Sequence, residues 1–543
     1  MIPTHYILLP AAGLILFGIN LIRHRRFYRD LPKPPHSLLW GHLKLFNNVV
    51  KLFPHNTAPA AYYTEIAQRY QLKEMFYLDL WPFAPSQLVL ISPDTAALIT
   101  TVEDYPVHDI AIGFVSAIIG KTMIAALNGQ PWKALHTMIA PAFRPSTLKL
   151  MIPVIADQTM SVFHATLSCH AASGQAFSME DAAAQLVFRM SSKAIFGLTV
   201  SDEANEQLLA DFAIILEYAK ILTQVEPSNP IKKAFWWWKQ RAAAGRINGF
   251  LEALAKERYL AIVKRDPAEG GNKDVLEKST TSVLDQILVG LLSKEKGGRI
   301  LGTLTPAVVR MIAENLKGLL LGGYGTTTDT LCFIYILLSA YPAVMQKLRE
   351  EHDRVFGIGL QTTQHTLKQS PDKLSELRYT TAVIKETLRL FPAGFGVRSA
   401  KPGKPALEYQ GRAYPISNQM IIPCTHTIHY DPEVFQNPAA FNPERFMGPN
   451  MVPPNAWRSF ERGPRACMGR DLAMQELRII LLLTVRSFEF KCVELQPSAE
   501  PRVSYTDMDL RLGDLAFQES SFSAKPRGGA VMVVESVPGH GHG

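Results

Sequence analysis

Apolar positions in this chain recur mostly at three- and four-residue intervals, which puts them on one face of a helix. From Asp94 onward this spacing predicts helices over 131–143, 151–167, 179–196, 205–223 and 247–263. It continues over 305–338, 343–356, 373–390 and 470–485. Upstream, a helix is expected at 60–70 and strands at 74–80 and 87–91. Four more short strands are expected at 407–410, 420–423, 488–493 and 530–535. The fold class is therefore mainly α with a small β portion. There is no regular strand–helix–strand alternation, which argues against a doubly wound sheet. Residues 266–278, rich in Gly and mixed charge, are expected to form a surface loop, and 537–543 a frayed tail.

One apolar run departs from the amphipathic pattern. Residues 2–22 contain no Asp, Glu, Lys or Arg, and as a helix they span about 30 Å, one hydrocarbon core. Arg23, Arg25, Arg26 and Arg29 follow at once, so the positive-inside rule places the rest of the chain in the cytosol. Charge after the apolar run, with no small-residue cleavage site, favours an anchor over a cleaved signal. Leu31-Pro32-Lys33-Pro34-Pro35-His36 then forms a stiff connector. The expected organisation is a transmembrane anchor at 1–22, a basic, proline-rich linker at 23–40, a globular domain at 41–536 and the tail. Of 543 residues, 47% are hydrophobic and 19% charged, enough for a large core. The net charge of +8 is spread out apart from the arginine cluster, so nucleic acid is not an expected partner. Five scattered cysteines do not make a disulfide framework and suit a reducing compartment.

The most informative segment is Phe460-Glu461-Arg462-Gly463-Pro464-Arg465-Ala466-Cys467-Met468-Gly469. It sets Cys467 in a Gly/Pro-shaped loop just before a helix. Arg465 and the helix start favour a thiolate there. The run resembles the haem-binding signature of cytochromes P450, Phe-x-x-Gly-x-Arg-x-Cys-x-Gly, at all five fixed positions: Phe460, Gly463, Arg465, Cys467 and Gly469. The resemblance extends over about residues 30–536. It implies the P450 fold, with haem b (iron protoporphyrin IX) as cofactor and Cys467 as axial ligand to its iron. Glu386, Arg389 and Arg445 then correspond to a buried structural charge triad.

In the same family register, Gly322-Gly323-Tyr324-Gly325-Thr326-Thr327 resembles the oxygen-activation motif, with Thr326 the threonine that helps deliver protons and Thr327 beside it. Gly325 stands where the motif has an acid. Asp329, one turn on, can substitute or can face elsewhere. A second departure is Trp132, followed at +4 by His136 instead of arginine. His136 or Lys133 can meet a haem propionate, or His136 can merely pack. Arg398 is a further propionate contact.

The resemblance implies a monooxygenase that takes O2, with electrons from NADPH–cytochrome P450 reductase. Arg462 and Arg470 are candidate docking cations. It also implies a single-pass protein of the endoplasmic reticulum membrane. The pocket is expected to draw on 107–125, 311–324, 393–397 and 517–523. Its apolar residues would include Ile110, Ile112, Phe114, Val115, Ile118, Ile119, Leu319, Phe395 and Phe522, which suit a hydrophobic substrate. The sequence style is that of fungal microsomal members. A polyketide or terpenoid secondary metabolite is the first expectation, and a fatty acid or sterol the second. Phe235-Trp236-Trp237-Trp238 is either a headgroup contact or an internal aromatic core. Gly325 keeps open a haem-thiolate isomerase or dehydratase that does not use O2. A non-catalytic haem-binding protein is the alternative from another class.

Overall fold

The computed structural model describes residues 5–197, 200–224, 229–264, 282–293, 304–394, 396–448 and 452–537. The loop expected at 266–278, Phe395 and the tail from 538 lie outside the described residues. Helices dominate. Those that position the site are α1 (His5–Phe27), α2 (Pro59–Arg69), α3 (Asp109–Ile118), α4 (Gly129–Ile139), α5 (Met179–Phe196) and α6 (Asp202–Thr223). They continue with α7 (Pro230–Lys264), α8 (Val283–Ser293), α9 (Pro306–Ala340), α10 (Pro342–Phe356), α11 (Arg378–Leu390) and α12 (Arg470–Thr484).

Among the described residues the strands form four small sheets. In the first, β1 (Met75–Leu78) pairs antiparallel with β2 (Gln87–Leu90), Met75 opposite Leu90. Strand β2 also runs parallel to β6 (Met420–Pro423), Gln87 opposite Met420. The second has the order β3 (Phe177–Ser178), β10 (Val531–Ser536), β7 (Phe488–Cys492). Hairpins β4 (Ala406–Tyr409) with β5 (Arg412–Pro415) and β8 (Glu519–Ser520) with β9 (Ala524–Lys525) complete the set.

Helix α9 is the spine. Thr305 caps its start by accepting from the Val308 N–H, and Pro306 sits at the first helical position, where its missing donor costs nothing. Leu331 through Leu337 are buried all the way round, as expected only of a central helix. Helices α5 and α7 pack along it. Helix α5 matches its predicted bounds at both ends, because both carry local signals. Ser178 caps the first turn, which holds Glu180 and Asp181, and Gly197 ends it at φ +70°.

Three predicted helices are broken; over 131–143, α4 ends at Ile139 and a 3-10 turn covers Ala140–Phe143. Over 151–167 the chain forms Ile152–Gln158, a π turn at Thr159–His164, and a helix from Ala165 to Ser173. The Thr159 hydroxyl donates back to the Ile155 carbonyl (2.7 Å), inside that irregular stretch. Over 373–390, α11 starts only at Arg378. There the Glu351 carboxylate, reaching across from α10, accepts the N–H groups of Tyr379 (2.6 Å) and Thr380 (2.8 Å). Capping by a distant carboxylate leaves no local sequence signal.

Among the described residues, no single helix is long and apolar enough to cross a membrane. Helix α1 continues past residue 22 to Phe27, and its end is fastened to the domain. Buried Asp79 pairs with Arg25, and also bonds His24 (3.0 Å) and His36 (2.9 Å). Burial pushes the Asp79 carboxyl up, but the bonds from His36, Arg25 and His24 win and hold it at about 2. The four arginines expected at a membrane edge therefore do not act alike: Arg25 is buried in this cluster, while Arg23, Arg26 and Arg29 are exposed.

Candidate active site

The cysteine loop is built from its own backbone. The Cys467 N–H donates to the Phe460 carbonyl (2.9 Å), and the Ala466 N–H to the Gly463 carbonyl (3.0 Å). Gly463 takes φ +84°, and a Cβ there would collide with the Thr100 carbonyl, so the turn admits only glycine. At the start of α12 no side chain caps the helix. The N–H groups of Gly469 and Arg470 act instead on the Cys467 thiol. Burial pushes that thiol up. The Gly469 N–H, the Arg470 charge and the Arg470 N–H pull it down, toward the thiolate, but burial prevails and the thiol stays raised. The nearby cation is thus Arg470, not Arg465 as the sequence suggests. Cys467 is closely surrounded, yet exposed to a cavity that it lines.

That cavity, about 590 Å³, brings most of the predicted residues together. Cys467, Phe460, Arg465, Gly469, Trp132, His136, Arg398, Thr326 and Thr327 all line it. Gly463 stands behind the wall, shaping the turn. Arg465 reaches the Leu127 carbonyl (3.1 Å), Asn128 Oδ1 (3.0 Å) and Asp104 (3.3 Å), and its guanidinium lies 4.5 Å from the Trp132 ring centre. The His136 ring lies against Trp132, with centroids 5.0 Å apart and the planes tilted by 37°. Arg398 is 5% exposed, and its Nε has no partner among the described residues. Burial lowers its affinity for a proton. A buried guanidinium facing a cavity with spare donors is built to receive an anion.

Behind the loop, the Glu386 carboxylate accepts from Arg389 Nε (2.8 Å) and Nη2 (2.9 Å), from Arg445 Nε (3.0 Å) and from the Asn442 N–H (3.0 Å). Arg389 also donates to the carbonyls of His429 (2.8 Å) and Ala440 (3.1 Å). All three charged side chains are buried. The triad ties α11 to the segment before the cysteine.

On the α9 side the helix runs unbroken through its glycines and threonines. The Thr326 hydroxyl donates to the Gly322 carbonyl (2.7 Å). A Cβ at Gly325 would meet open space. Asp329 is buried and turned to Ser523, whose hydroxyl bonds its carboxylate. Asp329 is not among the cavity-lining residues. Burial pushes its carboxyl up to about 7, with the Glu180 charge adding to the rise. Phe114, Val115, Leu319 and Phe522 line the cavity as expected, and Phe114 stacks on Phe522 at 6.3 Å. Ile118 and Ile119 are core instead, and Ile110 is 47% exposed. Phe235, Trp237 and Trp238 are exposed on α7, so they are not an internal aromatic core.

Sequence reasoning missed Glu476, a carboxyl on α12 that lines the cavity. It is fully buried, with Oε1 unpartnered among the described residues. Burial pushes it up to about 8. It stands between Gln475 and Leu477, seven residues into α12, where nothing local marks it as buried. Ser191, Ala194 and Ile195 of α5 also form an unforeseen wall.

A thiol at a helix start, buried guanidiniums and a mostly apolar chamber define a haem-thiolate class of site. Residues 32–507 match the cytochrome P450 family. The chain belongs to that family. It is 28% identical over 503 residues to the cytochrome P450 monooxygenase polC of Polytolypa hystricis, covering 89% of this chain and 86% of that one. It is 29% identical over 512 residues to the cytochrome P450 monooxygenase acrF of Aspergillus aculeatus, covering 89% and 98%. Likeness to the Bos taurus cytochrome P450 3A28 is 25% over 433 residues, covering 77% and 80%. The family is one of haem-thiolate oxidoreductases that use O2, a redox partner and a small-molecule substrate. The residues here fit such a group: Cys467 opens to the cavity, and Arg398 has donors to spare.

Proposed function

We propose that this chain is a membrane-anchored monooxygenase that holds haem b and inserts an oxygen atom from O2 into a hydrophobic small molecule. A fungal secondary metabolite, a polyketide or terpenoid, is the substrate class. The observation that carries this is the opening of Cys467 into the same apolar cavity as Thr326, Thr327 and Arg398. The haem, when bound, supplies oxygen activation and transfer. Cys467 ligates its iron, and Trp132, His136, Arg398 and Arg465 orient it by its carboxylates. Thr326 holds a proton at Oγ1 against the Gly322 carbonyl, and rotation about χ1 presents that proton to the cavity. Phe114, Leu319 and Phe522 bind and orient the substrate and keep water from it. Electrons come from NADPH–cytochrome P450 reductase, docked beside exposed Arg462 and Arg470.

Residues 1–22 anchor the protein in the endoplasmic reticulum, with 41–536 in the cytosol. Exposed Ile15, Leu16, Phe17, Ile19 and Ile22 on α1 support this, as does the exposed Trp237–Trp238 pair. The deciding experiment is the reduced, carbon-monoxide-bound difference spectrum of the full chain. A thiolate-type Soret band is expected; a band typical of histidine-ligated haem in folded protein would overturn the assignment. Gly325 favours a second reading, an isomerase or dehydratase without external O2. Turnover that needs NADPH, reductase and O2 excludes it.

A further inference from the structure

A second cavity, about 700 Å³ and open to solvent, lies between the end of α1 and the linker. Arg26 and Arg29 line it from the helix, Lys33 and His36 from the linker, and Tyr70 from the end of α2; Leu38 stands at its edge. Arg25 also faces it, but is committed to Asp79. Among the described residues, no carboxylate lines it. Arg26 and Arg29 are exposed, and neither side chain has an ion pair or hydrogen bond with another described residue. Lys33 is half-buried. Its ammonium donates to the carbonyls of Arg29 (2.7 Å) and Leu31 (3.3 Å), which leaves one of three donors free. Burial lowers its proton affinity, partly countered by exposed Asp30.

The cavity has an apolar border. Leu38, Leu39 and Trp40 are 62%, 61% and 52% exposed, and Ile22 and Phe27 are exposed on the adjoining helix. The geometry is fixed, because His24, Arg25 and His36 are all bonded to buried Asp79. Gly41, at φ +57°, lets the chain pass within reach of the Asp79 carbonyl, which a Cβ would approach to 2.7 Å. Unpaired cations in a rigid concavity, edged by exposed apolar side chains, match an amphiphile with an anionic head.

We propose that this cavity holds the phosphate headgroup of an anionic phospholipid. Arg26, Arg29 and Lys33 contact the phosphate oxygens, and Leu38, Leu39 and Trp40 lie along the acyl chains. The assignment rests on the reading of residues 1–22 as a membrane anchor. It would make the lipid part of what sets the domain's attitude to the bilayer.

The test uses the full chain in neutral detergent, titrated calorimetrically with dioctanoyl phosphatidic acid, dioctanoyl phosphatidylcholine and inorganic phosphate. Saturable binding of the phosphatidic acid is expected, with phosphatidylcholine inert and phosphate weaker. Substituting Arg26→Gln, Arg29→Gln and Lys33→Gln should weaken binding roughly five-fold per cation removed. The carbon-monoxide spectrum of the variants should be unchanged, which establishes folding. No binding of phosphatidic acid, or equal binding by the triple variant, overturns the site. Phosphate binding as tightly as the lipid overturns the lipid assignment in favour of a free phosphate. Flotation of the full chain with pure phosphatidylcholine vesicles tests the anchor separately, so loss of one result does not carry the other with it.

Discussion

The cysteine side and the α9 side of the same cavity are built in opposite ways. On the cysteine side, polar groups are held by several partners. Glu386 accepts four bonds, Arg465 contacts three residues besides its stack on Trp132, and the Cys467 N–H is fixed to Phe460. On the α9 side the polar groups are few and loosely held. Thr326 bonds only its own helix, Thr328 Oγ1 has no partner among the described residues, and Asp329 points to Ser523. One side must hold a charged group in one geometry, so it is over-determined. The other must admit a hydrophobic molecule and move a proton, so few polar atoms are fixed there.

The largest effects should come from the over-determined side. Cys467→Ala removes the thiol that opens to the cavity, and the thiolate-type carbon-monoxide spectrum should vanish. An unchanged spectrum would mean another ligand. Next comes Glu386→Gln. It leaves Arg389 and Arg445 buried without a counter-charge, a change that typically costs about 3–5 kcal/mol. Thermal unfolding and haem content should both fall sharply. A variant that unfolds near the wild-type temperature would show the triad to be dispensable.

Legibility in the sequence follows the same division. The loop motif was readable because each residue type serves one geometric need over a short spacing; the triad, whose Arg445 stands 59 positions from Glu386, was readable only through the family resemblance. Helix α5 was readable from its caps. What escaped depended on distant partners. The Asp79 cluster joins residues 43 and 55 positions apart, and the Asp329–Ser523 bond spans 194. The start of α11 is set by Glu351, 28 residues upstream. Glu476 was hidden because a Glu between Gln475 and Arg478 in an amphipathic helix reads the same whether it is buried or at an edge. The assignment of Arg465 to the thiolate failed for a related reason. Proximity in sequence put it near Cys467, but its guanidinium is drawn to Asp104, Asn128 and Trp132.

Intermediate effects should come from the sparse side. Thr326→Ala removes the cavity-facing hydroxyl and should raise peroxide release relative to product, measured with reductase. Unchanged coupling would take Thr326 out of proton delivery. Glu476 gives a pH signature. Its folded value of about 8 lies above the ordinary 4.5, so the neutral form is favoured in the fold. Its contribution to stability is complete below 4.5 and is lost as pH rises through about 8. Asp329 acts in the same direction between 3.8 and about 7. Glu476→Gln should therefore flatten the decline of stability with rising pH, most of all above the Asp329 range. An identical slope in the variant would show that Glu476 does not hold its proton.

The smallest effect, and the sharpest test of the contrast, is Gly325→Glu. It restores an acid where the family motif has one. The Cβ has room, and replacing a mid-helix glycine should itself stabilise α9 by about 0.5–1 kcal/mol. Gly325→Ala isolates that helix term. If proton supply to Thr326 is what the α9 side lacks, Gly325→Glu should lower peroxide release by a few-fold relative to Gly325→Ala, with little change in spectrum. Asp329→Asn sharpens the result. Asp329 is bonded to Ser523, next to Phe522 in the cavity wall, so its loss should alter substrate affinity more than coupling. If instead Asp329→Asn uncouples turnover and Gly325→Glu rescues it, Asp329 is the acid behind Thr326 after all, and the α9 side is less bare of proton donors than its geometry indicates.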